Sequence, residues 1–361
     1  MSETAAIGGA TAETAVAPGS SGAWQPYRRS WVNAVTAWVD RLPGPAWAFY
    51  LAFTAFTVVT INGLVWVTGV VPTDRIDPAQ TYYGILLPAA LALIHYLDRV
   101  GRVALDQFLP ATDSTDAEVA RWRYELTVIP ARPALVLTVA TVLVTVAGYA
   151  TDPVGTQVVG YSPIALAIRG VYESAIGSLL LILVYHSLRQ LRLVSRIHAL
   201  AIRVDLFQPG PLYAFSRLTS RTGIGLILLI APTVFLIPST AQAAVTALVW
   251  LAPVAIIAVA TFVGPLMGMH RRIADEKGRL EAEVGRRIGD TMTAIHDSVD
   301  RRERADADAL NKTLASLIAE RELVGRLPTW PWQAGTLGAV VSAIVLPVAL
   351  WFVTRFLERV V

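Results

Sequence analysis

Two charged residues sit inside an apolar stretch that leaves little room for charge. Arg169 and Glu173 lie four apart in the run 164–188, on one face of any helix it forms. A bare charge at the centre of a bilayer costs about 2.5–3.5 kcal/mol on insertion scales, so a partner or water must accompany it. The pair therefore has two readings, a proton or ion relay and an ion pair locked between helices. Depth bears on both. A helix starting near Pro163 puts Glu173 about 15 Å in, at about 1.5 Å per residue, close to the midplane. A span of 172–194 puts it at the outer interface instead.

Three histidines, His95, His186 and His270, end apolar runs that leave on the same side. Convergence would suit a metal, a haem or a pH switch, but nothing in their spacing requires it. Asn62, Tyr172, Ser174, Ser178 and Tyr185 are polar positions that can bond a neighbouring helix. Familiar catalytic signatures do not occur. The two lysines, Lys277 and Lys312, lack the glycine context of a P-loop, and HExxH, GxSxG and GxGxxG are missing. His296-Asp297 resembles a phospho-accepting pair only loosely, with no ATP-binding domain after it. With no cysteine, disulfides and thiolate metal sites are excluded. The expectation is a protein with no catalytic residues, no metal and no cofactor.

The elements that must position these residues are seven apolar runs, roughly 46–71, 82–97, 133–150, 164–188, 222–238, 243–269 and 334–354. Most approach the roughly 20 helical residues that cross a hydrocarbon core of about 30 Å. The chain of 361 residues is 54% hydrophobic and 16% charged, more apolar surface than a soluble domain can hide. Helices are the default in lipid because every backbone group needs an internal partner. The fold class expected is all-α: a polytopic membrane bundle of about seven transmembrane helices, with a cytoplasmic helical hairpin before the last.

Cations fill every second gap. Arg28, Arg29 and Arg41 precede the first run; Arg99, Arg102, Arg121, Arg123 and Arg132 follow the second. After the fourth come Arg189, Arg192, Arg196, Arg203, Arg217 and Arg221. The alternate gaps hold Arg75 alone, and Arg355 and Arg359 end the chain. The positive-inside rule then puts the N-terminus in the cytoplasm of a cell membrane and the C-terminus outside, provided 334–354 spans; Pro347 leaves a re-entrant path open.

Organisation follows the same pattern. Residues 1–27 read as a disordered tail. Residues 28–45 read as an interfacial amphipathic helix, with Trp31, Val35, Trp38 and Leu42 on one stripe. Residues 46–269 form a six-helix membrane core with short cytoplasmic helices, one near 116–128 opened by a capping box at Thr115–Glu118. Run four continues as a helix through 188–204, carrying Arg189, Arg192, Arg196 and Arg203 as a basic ridge, for anionic head groups or a phosphorylated or acidic partner. Residues 270–333 form the hairpin, with twelve acids against twelve cations, turning near 300–308. Leu280, Val284, Ile288, Met292, Ile295 and Val299 stripe its first arm. Trp330 and Trp332 anchor the return, and 334–361 is the seventh segment.

External loops are short, so recognition is expected in the membrane or on the cytoplasmic face. The first functional expectation is a membrane-anchored interaction or signalling adaptor. Its partners would be the lipid bilayer, anionic lipid head groups, and a second copy or a cytoplasmic protein through 270–326, with no nucleic acid. The second is a small channel or transporter using Glu173 and Arg169.

Overall fold

The computed structural model describes residues 26–69, 71–153, 158–199, 206–207, 210–233, 241–302, 304–332 and 335–360. Among the described residues the protein is all-helical, with one isolated antiparallel bridge, Arg29 to Pro130, and no strand. Its helices are α1 (Trp31–Val39), α2 (Ala46–Val67), α3 (Pro78–Phe108), α4 (Asp116–Thr127) and α5 (Ala131–Thr151). Then follow α6 (Pro163–Ala199), α7 (Ala214–Ile230), α8 (Ala241–Asp300), α9 (Arg304–Arg326) and α10 (Thr336–Val360). Four of these, α2, α3, α5 and α6, are long and apolar enough to cross a membrane. The described part of α7 has 17 residues, and run 222–238 ends on residues 234–240, which lie outside the described set. The expected tail also lies outside it, save for Pro26 and Tyr27.

α3 is the central element. Its most apolar window is 67% buried, against 22% for α2, 33% for α6 and 6% for α5. It touches α2, α7, α6, α4 and α1, while α5 touches only α6 closely and α1 lightly. The largest fully enclosed side chains lie in the second half of α3 and around it: Ile94, Leu97, Leu105, Phe108, Ile182, Leu183, Phe215 and Leu218. The core therefore sits towards one end of the bundle. This is the arginine-rich end, which carries α1, α4, the start of α7 and the continuation of α8. The arginine-poor end carries the loops after α2 and α5.

Close helix contact is set by a small residue. A Cβ on Gly84 of α3 would stand 2.8 Å from the Cα of Val58 on α2. The missing side chain brings the backbones together, and Thr57 Oγ1 donates to the Gly84 carbonyl across the seam at 2.7 Å.

α1 is capped by Ser30, whose hydroxyl accepts from the Asn33 amide. Its inward face is Val32, Asn33, Thr36 and Val39. The tryptophans of the expected stripe point away, Trp31 38% and Trp38 51% exposed. The helix turns its polar residues inward because they have backbone partners there, described below. α4 begins as its sequence requires: Thr115 and Glu118 form a reciprocal capping box, and Trp122 and Leu126 are buried. The Thr115 backbone and hydroxyl both donate to the Glu118 carboxylate, which holds it below the usual carboxylate range.

α8 runs 60 residues, about 90 Å. After Arg302, which takes a left-handed backbone with φ of 61°, α9 follows and contacts α8. Val284, Leu317 and Val324 are buried, and Leu280, Ile288, Leu310 and Leu314 are half-buried. The stripe is not covered throughout: Met292 is 44% and Val299 58% exposed.

Gly84→Ala should cost about 1–3 kcal/mol by prising α2 from α3. Gly63→Ala, with nothing within 4 Å, should be neutral or stabilising by up to about 1 kcal/mol. Thermal melts in detergent, followed by circular dichroism, read both.

Candidate functional site at the arginine-rich end

α5 enters the bundle through residues 126–131, where α4 ends and several backbone groups lack a helical partner. These groups are met by distant side chains or by the 28–30 segment. Ser30 N donates to Ile129 O at 2.9 Å, and Ala131 N to Arg28 O at 2.9 Å. Asn33 works twice: its Nδ2 donates to Thr127 O at 3.0 Å, and its Oδ1 accepts from Ile129 N at 2.7 Å. Arg189 on α6 donates to Val128 O at 2.8 Å and to the Tyr27 hydroxyl, with its guanidinium 4.9 Å over the Tyr27 ring. Tyr27, grouped with the tail by composition, is thus built into the fold. Its ring packs on Tyr124, whose hydroxyl donates to Tyr27 O at 2.6 Å. Burial pushes the Tyr27 phenol from its ordinary 10.0 up to about 12, against the opposing pull of Arg189.

One layer deeper, Gln190 Nε2 donates to Leu126 O at 2.7 Å and reaches Asp98 Oδ1 at 3.3 Å. Asp98 also accepts from His186 Nε2 at 2.7 Å, with side-chain exposures of 7% and 0%. The carboxylate fixes the imidazole tautomer, because the nitrogen facing it must carry the proton. His186 Nδ1, Ser187 Oγ and Gln190 Oε1 meet no protein partner among the described residues. Three residues back along α3, His95 forms a second bridge. Its Nδ1 accepts from the Tyr50 hydroxyl at 2.9 Å, and its Nε2 donates to Asp40 at 3.1 Å, with Arg99 also on Asp40 at 3.4 Å. Asp40 caps the end of α1. The cluster therefore joins α1, α2, α3, α4 and α6 through charge-assisted bonds, buried at Asp98 and His186 and exposed at Asp40 and Arg99. A paired carboxylate and imidazole can hold a proton, and here they hold three helices in register.

The three histidines do not converge. His95 and His186 take separate carboxylates, and His270 stacks on Trp330 with centroids 4.0 Å apart, Trp332 stacking beyond at 4.4 Å. Among the described residues no group of His, Cys, Asp or Glu is set to hold a metal. His270 Nδ1 also donates to Thr329 O at 3.0 Å, and Lys277 Nζ donates to Gly325 O at 2.7 Å and Leu327 O at 2.9 Å. These contacts clamp the foot of α9 to α8.

The basic ridge divides. Arg189 is spent on Tyr27 and Val128, Arg192 and Arg196 are exposed, and Arg203 lies outside the described residues. Trp31 donates its indole N–H to Thr138 Oγ1 on α5 at 3.1 Å, while Trp38 packs edge-on against Phe49 at 5.4 Å.

Arg169 and Glu173 are at the opposite end. They pair at 2.7 Å, and the Tyr149 hydroxyl donates to the other Glu173 oxygen at 2.8 Å. Tyr149 is two residues from the end of α5, so Glu173 lies level with the last turn of that helix. α6, at 37 residues, begins well beyond the end of α5. Arg169 also covers the Tyr161 ring at 5.1 Å. Both carboxylate oxygens are taken, which leaves a closed pair.

Asp98, Gln190 and Asn33 were not singled out in the sequence. One signal was available: Asp98 is the first acid after Asp77, three residues past His95. No family model, curated protein or solved structure matches the chain.

Asp98→Ala strands His186 and Gln190 and should cost about 3–5 kcal/mol, whereas Asp98→Leu with His186→Leu should recover part of that loss. Glu173→Gln, half-exposed, should cost under about 1 kcal/mol. Melting temperatures of the four proteins give the ranking. The raised Tyr27 pKa also has a sign. Its stabilisation is full below pH 10.0 and is lost as pH rises through about 12. A melt series over that range should fall more steeply for wild type than for Tyr27→Phe.

Proposed function

We propose that the protein is a membrane-embedded adaptor that engages a protein partner through a cytoplasmic helical hairpin, formed by α9 and the part of α8 beyond His270. In this reading α7, the apolar first part of α8 and α10 join the four long apolar helices in a seven-span bundle. The arginine-rich end faces the cytoplasm, as the positive-inside rule requires. Arg192 and Arg196 then lie at the level of anionic head groups.

The observation that carries the reading is the clamped limb. From His270 to Asp300 it projects about 46 Å at 1.5 Å per residue. Its foot is fixed by the His270–Trp330–Trp332 stack and by Lys277 on the last carbonyls of α9. Its shaft carries intrahelical pairs, Arg279 with Glu276 at 2.6 Å and Arg287 with Glu283 at 2.8 Å. Arg287 and Arg286 hold the Glu283 carboxyl below its usual range. Met292 and Val299 remain exposed towards its outer part, at 44% and 58%, and Ile318 and Leu323 further down α9, at 53% and 60%. A stiff arm with apolar groups set among balanced charge suits a protein partner or a second copy.

The alternative, a channel or transporter using Glu173, has less support, because Arg169 and Tyr149 occupy both carboxylate oxygens. Deleting 275–325 should leave a helical, monodisperse core and abolish the complexes that the intact protein forms in native membranes. Complexes that survive the deletion refute the adaptor. Reconstituted wild type should be silent in ion-flux assays; flux that disappears in Glu173→Gln would decide for transport.

A further inference from the structure

Several arginines in this chain find an acid. Arg121 takes Glu125, Arg123 takes Asp106, and Arg286 takes Glu283 and Asp290. Arg217 and Arg221 do not. No Asp or Glu occurs between Asp205 and Asp275, and among the described residues neither arginine has a carboxylate within salt-bridge distance. They stand one turn apart on α7 and face α3, where Tyr96, Arg99 and Gln107 share a helical side. Between the helices is a cleft of about 190 Å³, walled by Val100 and Ala104 and lined also by Arg99, Arg217 and Arg221. At about 30 Å³ per water it has room for roughly six. The Arg221 guanidinium lies 5.5 Å over the Tyr96 ring, which sets its direction. Arg217 is half-buried, so its charge is only partly hydrated. Of the three, Arg99 alone has an ion pair among the described residues, to Asp40 at 3.4 Å, which also bonds His95 at 3.1 Å.

We propose that this cleft between α3 and α7 binds a phosphate group. Guanidinium groups stay charged at any physiological pH and offer paired N–H donors that match phosphate oxygens. A single phosphate would offset the excess positive charge that the fold leaves there. The phosphate can belong to an anionic phospholipid, whose chains would run over exposed Tyr96 and Val103, or be free in solution. The site is separate from the α8–α9 limb, and its test does not depend on any partner of that limb.

The test compares wild type with Arg217→Gln/Arg221→Gln, and with Arg301→Gln/Arg321→Gln on the limb as an equal loss of exposed charge. In one arm the proteins enter phosphatidylcholine nanodiscs doped with phosphatidic acid, and retained lipid is counted by native mass spectrometry. In the other, inorganic phosphate is titrated in neutral detergent against the melting temperature. Wild type should bind in at least one arm, the cleft variant about tenfold more weakly or worse, and the exposed-charge variant like wild type. Binding in the first arm alone assigns the phosphate to lipid; binding in the second shows that free phosphate suffices. If the cleft variant does not fold, Arg217→Lys/Arg221→Lys replaces it, keeping charge but losing the paired donors, and should still bind more weakly than wild type. Equal binding by the cleft variant and wild type, no binding by wild type in either arm, or an equal loss in the exposed-charge variant overturns the proposal.

Discussion

The fold depends on satisfying the backbone where α4 ends and α5 begins. Residues 126–131 present amides and carbonyls at a depth where unpaired groups are costly. Asn33, Arg189, Gln190 and the 28–30 segment answer them one by one. This matters most for α5, whose apolar window is only 6% buried. Its length packs closely on α6 alone, so the polar joint fixes its base.

The joint reaches further than α5. Gln190 links the Leu126 carbonyl to Asp98, and Asp98 links α3 to His186 on α6. His95 and Asp40 bring in α1 and, through Tyr50, α2. Phe108, His198 and Phe215 pack beneath, ring to ring at 5.1–5.4 Å, and tie in α7. The arginine-rich end is therefore rigid before α8 leaves it, and Arg272 adds a bond to Ala199 O at the end of α6 at 2.6 Å. A limb that starts from so fixed a base can present its outer residues in a defined direction.

Local signals were legible in the sequence and long-range ones were not. The capping box at Thr115 and Glu118 needs only four residues, and it forms. The continuation of run four past the apolar stretch follows from its unbroken periodicity, and α6 runs to Ala199. The inward face of α1 could not be read, because Asn33 turns in for partners 94 and 96 residues away. The ridge misleads for a similar reason, since one of its arginines is committed to Tyr27, 162 residues distant. Glu173 was legible as the partner of Arg169, but not as the acceptor of Tyr149, 24 residues earlier on another helix. The histidines were noticed, but their partner Asp98 was hidden among the charges that end run two.

The joint, the core and the limb all sit at one end, and the central claim is that this end is the working, cytoplasmic face. The chain has no cysteine, so single substitutions report without background. Val299→Cys on the limb and Asp74→Cys in the loop after α2 should be probed with a membrane-impermeant maleimide on intact cells and on inverted vesicles. The account predicts that Asp74→Cys labels only on intact cells and Val299→Cys only on inverted vesicles. Labelling of both from the same side, or of Val299→Cys from outside, would contradict it.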